Sequence, residues 1–117
     1  RFSYGDDPDY DELGEYAWFF ENSVDRIRAV GQKRPNAWGL HDMHGNSVEW
    51  CLDWYAESLP GGTVTDPRGP NSGSKRVYRG GGWNGNGQDC RSARRAGGPP
   101  DRRDDECGFR VVLAPDP

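Results

Sequence analysis

Three groups of side chains in this 117-residue sequence have types and spacings that suit chemistry. The first is the run from Arg79 to Arg110, RGGGWNGNGQDCRSARRAGGPPDRRDDECGFR, where arginines, carboxylates and asparagines stand among glycines. Guanidinium forks of this kind suit carboxylate or phosphate recognition, although Asp101, Asp104, Asp105 and Glu106 offset much of their field. The second is Asp42 to Glu49, DMHGNSVE, in which two carboxylates flank a glycine turn. With the carbonyls between them they can build an oxygen cage of the kind calcium takes, and an acidic turn equally suits plain solvation. The third is the set of thiols, Cys51, Cys90 and Cys107. An odd number leaves at least one unpaired, no CxxC or Cys/His spacing points to zinc, and no disulfide framework is expected. Cys90 and Cys107 lack a nearby histidine base, so both are expected as buried thiols rather than nucleophiles. His41 and His44 have no cysteine or third histidine beside them and are expected on the surface. Ser92 lies in no nucleophile-elbow pattern.

The elements that must position these groups are few. Hydrophobic residues make up 32% of the chain and charged ones 29%, while 17 glycines and 9 prolines favour loops. Five Trp, five Tyr and four Phe supply large anchors that can pin an irregular fold around a small core. A net charge of −4 gives no global attraction to nucleic acid, and no apolar run approaches a membrane span. A single soluble domain without a nucleic-acid partner is expected, and the start at Arg1 suits a processed chain or a portion of a longer one. Residues 4–12 read as an exposed acidic turn, and Glu12 to Asn22 as a helix with Leu13, Tyr16, Ala17 and Phe20 on one face. From Val48 to Trp54, apolar and polar residues alternate with strand period, placing Val48, Trp50, Leu52 and Trp54 together. Residues 56–75 form a long Pro/Gly loop. RVYRG (76–80) and GFRVVLA (108–114) read as strands, the second ending the fold in its sheet. The polar run between them fits neither a buried strand nor an amphipathic helix, so its side chains must face water or a ligand.

GLHDMHGNSVEW, RGGGW, CRSARR and GFRVV, in that order, resemble the signature blocks of the formylglycine-generating enzyme (sulfatase-modifying factor) family, and RFSYGDD with YAWFFENS fits its preceding segment. The resemblance covers essentially the whole chain. It implies an α+β, largely irregular, C-type-lectin-like fold with short antiparallel strands, of which residues 1–117 are the C-terminal portion. An N-terminal segment or partner chain would complete that fold, and without it apolar surface is exposed. The family's enzymes oxidise a substrate cysteine to formylglycine with copper held by two cysteines five residues apart. Cys90 stands seven residues after Trp83 and the position five before it is Gly85, so the pair is absent and copper is not expected. Formylglycine-generating oxidation of a sulfatase cysteine stays as one alternative, and a structural or regulatory module of a multidomain protein as another.

The same run also resembles the C-terminal region of the variable proteins of diversity-generating retroelements, roughly WNNNAxNCRSANRNNNxPDNRNNNxGFR. Trp83, Cys90, Arg91, Ser92, Ala93, Arg95, Pro100, Asp101, Arg103, Gly108, Phe109 and Arg110 stand at its constant positions. Asn84, Gly85, Asn86, Asp89, Arg94, Ala96, Gly97, Gly98, Arg102, Asp104, Asp105 and Glu106 stand at the variable ones. All of the latter except Glu106 are reachable by adenine mutagenesis of an asparagine codon. The resemblance implies a non-catalytic domain that displays residues 84–106, within the region 83–110, to an unknown protein or other ligand. Arg91, Arg95 and Arg110 would be structural, with Arg94 and Arg102 turned to ligand or solvent. It further implies a structural calcium on the side chains of Asp42 and Glu49 and the carbonyls of Gly45 and Ser47.

Overall fold

The computed structural model describes residues 1–113. Strands β1 (Val48–Trp54), β2 (Arg76–Arg79), β3 (Ala96–Gly98) and β4 (Cys107–Gly108) form one sheet in the spatial order β3-β2-β1-β4. β1 with β2, and β2 with β3, pair antiparallel, whereas β4 lies parallel to β1. The sheet is therefore mixed rather than antiparallel throughout. Between Gly98 and Cys107 the chain crosses from one edge to the other, and a crossover of that kind returns a strand in its original direction.

β3 lies inside the run expected to be strand-free. Its Ala96, Gly97 and Gly98 carry almost no side chain, which lets the backbone approach β2 closely. A Cβ on Gly97 would stand 2.5 Å from the Tyr55 ring, and one on Gly98 would stand 3.2 Å from that of Trp50.

The alternation from Val48 to Trp54 does form a strand, but its register slips. Glu49 pairs with Arg79 and Trp50 with Tyr78, yet Trp54 pairs with Arg76. The bulge turns Leu52 out to 89% exposure, off the face it was expected to share with the tryptophans. Trp50 packs edge-on against Tyr78 at 5.6 Å, and the Arg76 guanidinium covers Trp54 at 3.6 Å.

Two other expected elements are shorter than their patterns suggest. The helix is confined to α1 (Leu13–Tyr16), Ala17 is extended, and Trp18 bridges to Gly45. Asn22 competes with continued helix by accepting from the Phe19 N–H at 2.9 Å and donating to the Ala17 carbonyl at 3.0 Å. The C-terminal strand stops at Gly108, with Phe109, Val111, Val112 and Leu113 exposed. β-propensity alone does not make a strand where no neighbour offers a ladder; Ala114 lies outside the described residues.

The apolar core sits beside the sheet, where Phe2, Leu13, Ala17, Phe19 and Cys90 pack with Tyr4 and Tyr10. It ties the N-terminal segment to the root of the polar run. The acidic turn at residues 4–12 is organised around a buried carboxylate instead of facing water throughout. Asp7 accepts from the Tyr4 hydroxyl at 3.0 Å and from the backbone N–H groups of Asp11 and Glu12 at 3.0 and 3.1 Å. No helix among the described residues is long and apolar enough to cross a membrane.

Candidate ligand-binding site

The polar run leaves β2 through Gly80 and Gly81, both at positive φ. A Cβ on Gly81 would stand 2.8 Å from the Cys90 sulfur, so only glycine lets the two ends of this turn close on each other. Trp83 anchors the next step, donating its backbone N–H to the Asn46 carbonyl at 2.9 Å and its ring N–H to the Asp105 carbonyl at 3.3 Å. Asn46 is buried and exchanges side-chain hydrogen bonds with the Arg28 backbone at 2.8 and 3.1 Å. Arg91 donates to the Gln88 carbonyl at 3.0 Å. Arg95 donates to the Ala56 carbonyl at 3.1 Å and lies over Tyr55.

His44 belongs to the same frame. At 3% exposure it is a buried hub, not the expected surface histidine. Its Nδ1 lies 2.6 Å from the Cys90 carbonyl, and its Nε2 lies 2.9 Å from both the backbone N and the hydroxyl of Ser3. An Nδ1–H donating to Cys90 leaves Nε2 to accept from Ser3, so the neutral ring joins the N-terminus to the run. Burial above all pushes its pKa down, and the nearby Arg110 and N-terminal charges add to that. His41 is exposed, with Nδ1 2.8 Å from the Lys33 carbonyl.

On this frame lies a cavity of about 270 Å³ whose wall includes Asn84, Gly85, Asp89, Arg94, Ala96, Arg102 and Glu106. Val48, Tyr78, Arg79, Gly81 and Gly82 line it as well. Arg94 Nε donates to Asp89 at 3.1 Å. Arg102 donates through Nε to Asp104 at 2.5 Å and through Nη2 to Glu106, with its guanidinium 5.6 Å from the Tyr78 ring centre. The other Glu106 oxygen accepts from the Asn84 amide. Asp104, chiefly through Arg102, has its carboxyl pKa pulled down.

The remaining positions expected to be displayed make other contacts. Asn86 caps a turn by accepting from the Gln88 N–H at 2.9 Å. Gly97 and Gly98 belong to β3 and face Tyr55 and Trp50, Asp104 buttresses Arg102, and Asp105 holds Trp83 through its carbonyl. Glu106 is as much frame as wall, since its carbonyl accepts from the Val48 N–H and the Ser47 hydroxyl. Val48, Tyr78, Arg79, Gly81 and Gly82 were not foreseen as lining residues. Tyr78 follows Val77, which is 1% exposed, and strand alternation through that pair was the available signal.

Asp42, Gly45, Ser47 and Glu49 are brought together along a second cavity of about 650 Å³. Both Glu49 oxygens accept from Arg110, through Nε and Nη2 at 2.5 Å each. Arg110 also donates to the Asp42 carbonyl at 2.7 Å and the His41 carbonyl at 3.3 Å. One Asp42 oxygen accepts from the Gly31 N–H at 2.7 Å, and the other is buried with no hydrogen-bond partner. An orphaned carboxylate oxygen has the chemistry that a hard cation takes. Glu49 would serve it with its charge already shared with Arg110.

None of the cysteines lines the loop cavity, and all three are free. Cys90 is fully buried, as expected, and burial first, then Asp89, pushes its thiol pKa up to about 12. Cys107 is only half-buried; desolvation and Asp104 push it up to about 11.

The family description "Sulfatase-modifying factor enzyme 1-like domain" matches residues 1–115. The chain belongs to that family. A formylglycine-generating enzyme of Streptomyces coelicolor is 40% identical over 87 residues, 71% of this chain and 28% of that protein. Serine/threonine-protein kinase pkn1 of Chlamydia pneumoniae is 40% identical over 81 residues, 67% of this chain and 13% of that protein. Among solved structures, Treponema denticola variable protein 1 superimposes with a TM-score of 0.84 and 38% identity, over 93% of this chain and 40% of that one. PvdO from Pseudomonas aeruginosa gives a TM-score of 0.72 and 27% identity, over 93% and 42%. The α+β C-type-lectin-like fold implied by the motifs is thus the fold of this sulfatase-modifying-factor domain, and the chain spans less than half of each of these relatives.

Proposed function

We propose that the domain is a non-catalytic ligand-binding module that displays the wall of the loop cavity to a protein or other ligand. The observation that carries this reading is the division of the run into two sets. Trp83, Cys90 and Arg95 are bound to the body of the domain and Arg91 to the backbone of its own turn, while Asn84, Asp89, Arg94 and Arg102 line one open cavity. The similarity to Treponema denticola variable protein 1 supports it. The alternative is the oxidation that the name of the formylglycine-generating relatives describes, supported at family level. It lacks a thiol pair at the cavity, since Cys90 is sealed in the core and Gly85 stands where a second thiol is needed. Titration with Cu(I) against a chelator, followed by assay on a cysteine peptide, decides between them. No stoichiometric copper binding and no turnover are expected; turnover would overturn the display reading.

Two accompanying features belong to the proposal. Calcium binds through Asp42 and Glu49 with the carbonyls of Gly45 and Ser47, where it neutralises the orphaned Asp42 oxygen and braces the turn before β1. A further segment of polypeptide covers Leu52, Val111, Val112 and Leu113, a reading supported by their exposure and by the 40% share of the Treponema protein that this chain spans.

A further inference from the structure

The loop cavity carries its own counter-ions. Arg94 is held by Asp89, and Arg102 by both Asp104 and Glu106. Arg79, which also lines the cavity, donates through Nη1 to the Ser92 and Arg94 carbonyls at 3.0 and 3.5 Å. A carboxylate or phosphate entering between Arg94 and Arg102 would meet arginines whose charge Asp89, Asp104 and Glu106 already offset, which reduces its net gain. What stays available is different. Arg102 directs Nε and Nη2 at carboxylates and Arg94 directs Nε at Asp89, and the planar face of a guanidinium can lie against a ring, as that of Arg102 does against Tyr78. The apolar part of the lining is Val48, Tyr78 and Ala96, and the volume of about 270 Å³ falls just below the range of pockets that hold drug-sized molecules.

Resting on the display reading above, we propose that this cavity takes one uncharged aromatic side chain presented by a partner protein. The ring lies on the apolar part of the lining, between the two arginines. Its polar edge meets the Asn84 amide and the backbone of Gly81 and Gly82. Shape and desolvation, rather than net charge, select the occupant.

The test uses blocked amino acids as probes. N-acetyl-tyrosinamide, N-acetyl-leucinamide, N-acetyl-aspartamide with a free side-chain carboxylate, and N-acetyl-lysinamide are titrated at millimolar concentration into ¹⁵N-labelled protein. The tyrosine probe is expected to shift the amides of Asn84, Gly85, Ala96 and Arg102, binding about fivefold to tenfold more tightly than the charged probes. Ala96→Phe fills the cavity and abolishes those shifts, with an unchanged near-ultraviolet spectrum confirming the fold. Asp89→Asn frees Arg94 and is expected to bring the aspartate probe into range while the tyrosine probe still binds. Tighter binding of a charged probe, or tyrosine binding that survives Ala96→Phe, overturns the ligand class and leaves a binding cavity in place. Equal binding of the leucine probe overturns the aromatic preference. If no probe shifts these amides, both the ligand class and the display reading fall.

Discussion

Replacing Glu49 by Gln removes half of a bidentate ion pair on which the end of the described chain depends. Arg110 donates twice to Glu49 at 2.5 Å and holds the Asp42 carbonyl at 2.7 Å. The side chains are 32% and 24% exposed, between the surface and buried regimes. Exposed pairs contribute about 0.2–1 kcal/mol, and breaking a buried one costs about 3–5 kcal/mol. A loss of about 2 kcal/mol follows for Glu49→Gln. Arg110→Gln loses about 3 kcal/mol, because the carbonyls of His41 and Asp42 lose their donor as well. For a domain of this size about 2 kcal/mol lowers the unfolding temperature by roughly 8 °C. Thermal and urea unfolding of the two single variants and the double variant form a cycle. Its coupling energy should be at least about 1 kcal/mol. Additivity of the two losses within about 0.3 kcal/mol would refute the claim that these groups act as a pair.

Gly45→Ala should destabilise the domain by more than about 2 kcal/mol, since residue 45 sits at φ 71° and its new Cβ would drive into the Trp18 carbonyl; a denaturant midpoint unchanged from the parent would contradict this. Native-state alkylation at pH 8 should modify Cys90 last, after the half-buried Cys51 and Cys107, as peptide mapping can show. His44 stays neutral in the fold, with a pKa below its ordinary 6.5. The unfolded chain therefore binds the extra proton first, and stability should fall as pH drops from about 6.5 toward the folded pKa, with no contribution from this group above that window. His44→Gln should flatten that part of the stability profile. Calcium should raise the unfolding temperature of the parent protein but not of Asp42→Ala, and equal shifts in both would remove Asp42 from the site.

Much of this was legible in the residues because short motifs encode local geometry. Cys90 read as a buried thiol and is buried, and the structure adds that Gly81 of RGGGW closes against it. Trp83, Arg91 and Arg95 took their structural roles because each has a backbone carbonyl within reach. Long-range pairing was not legible. GFRVVLA has the propensity of a strand, but a ladder needs a neighbour, and only Cys107 and Gly108 find one in β1. His44 looked like a surface residue because its partners, Ser3 and Cys90, are far from it in sequence. Arg94 and Arg102 read as free for ligand, yet carboxylates of the same run already hold them. Glu106, the one position of the resembling pattern outside the reach of adenine mutagenesis, has a side chain that holds Asn84 and Arg102 together.

The crossover from Pro99 to Glu106 spans the sheet from β3 to β4, outside β2 and β1. At about 4.8 Å per strand the gap is about 14 Å, whereas that length of chain can reach about 27 Å when extended. The connection therefore has slack, although Arg102, Asp104 and Asp105 tie parts of it down, and its ends are fixed by β3 on one side and by the Glu106 carbonyl on the other. Natural or engineered length variation in this domain should concentrate here, where added residues cost little loop-closure entropy and could reshape the cavity wall without disturbing a hydrogen bond of the sheet.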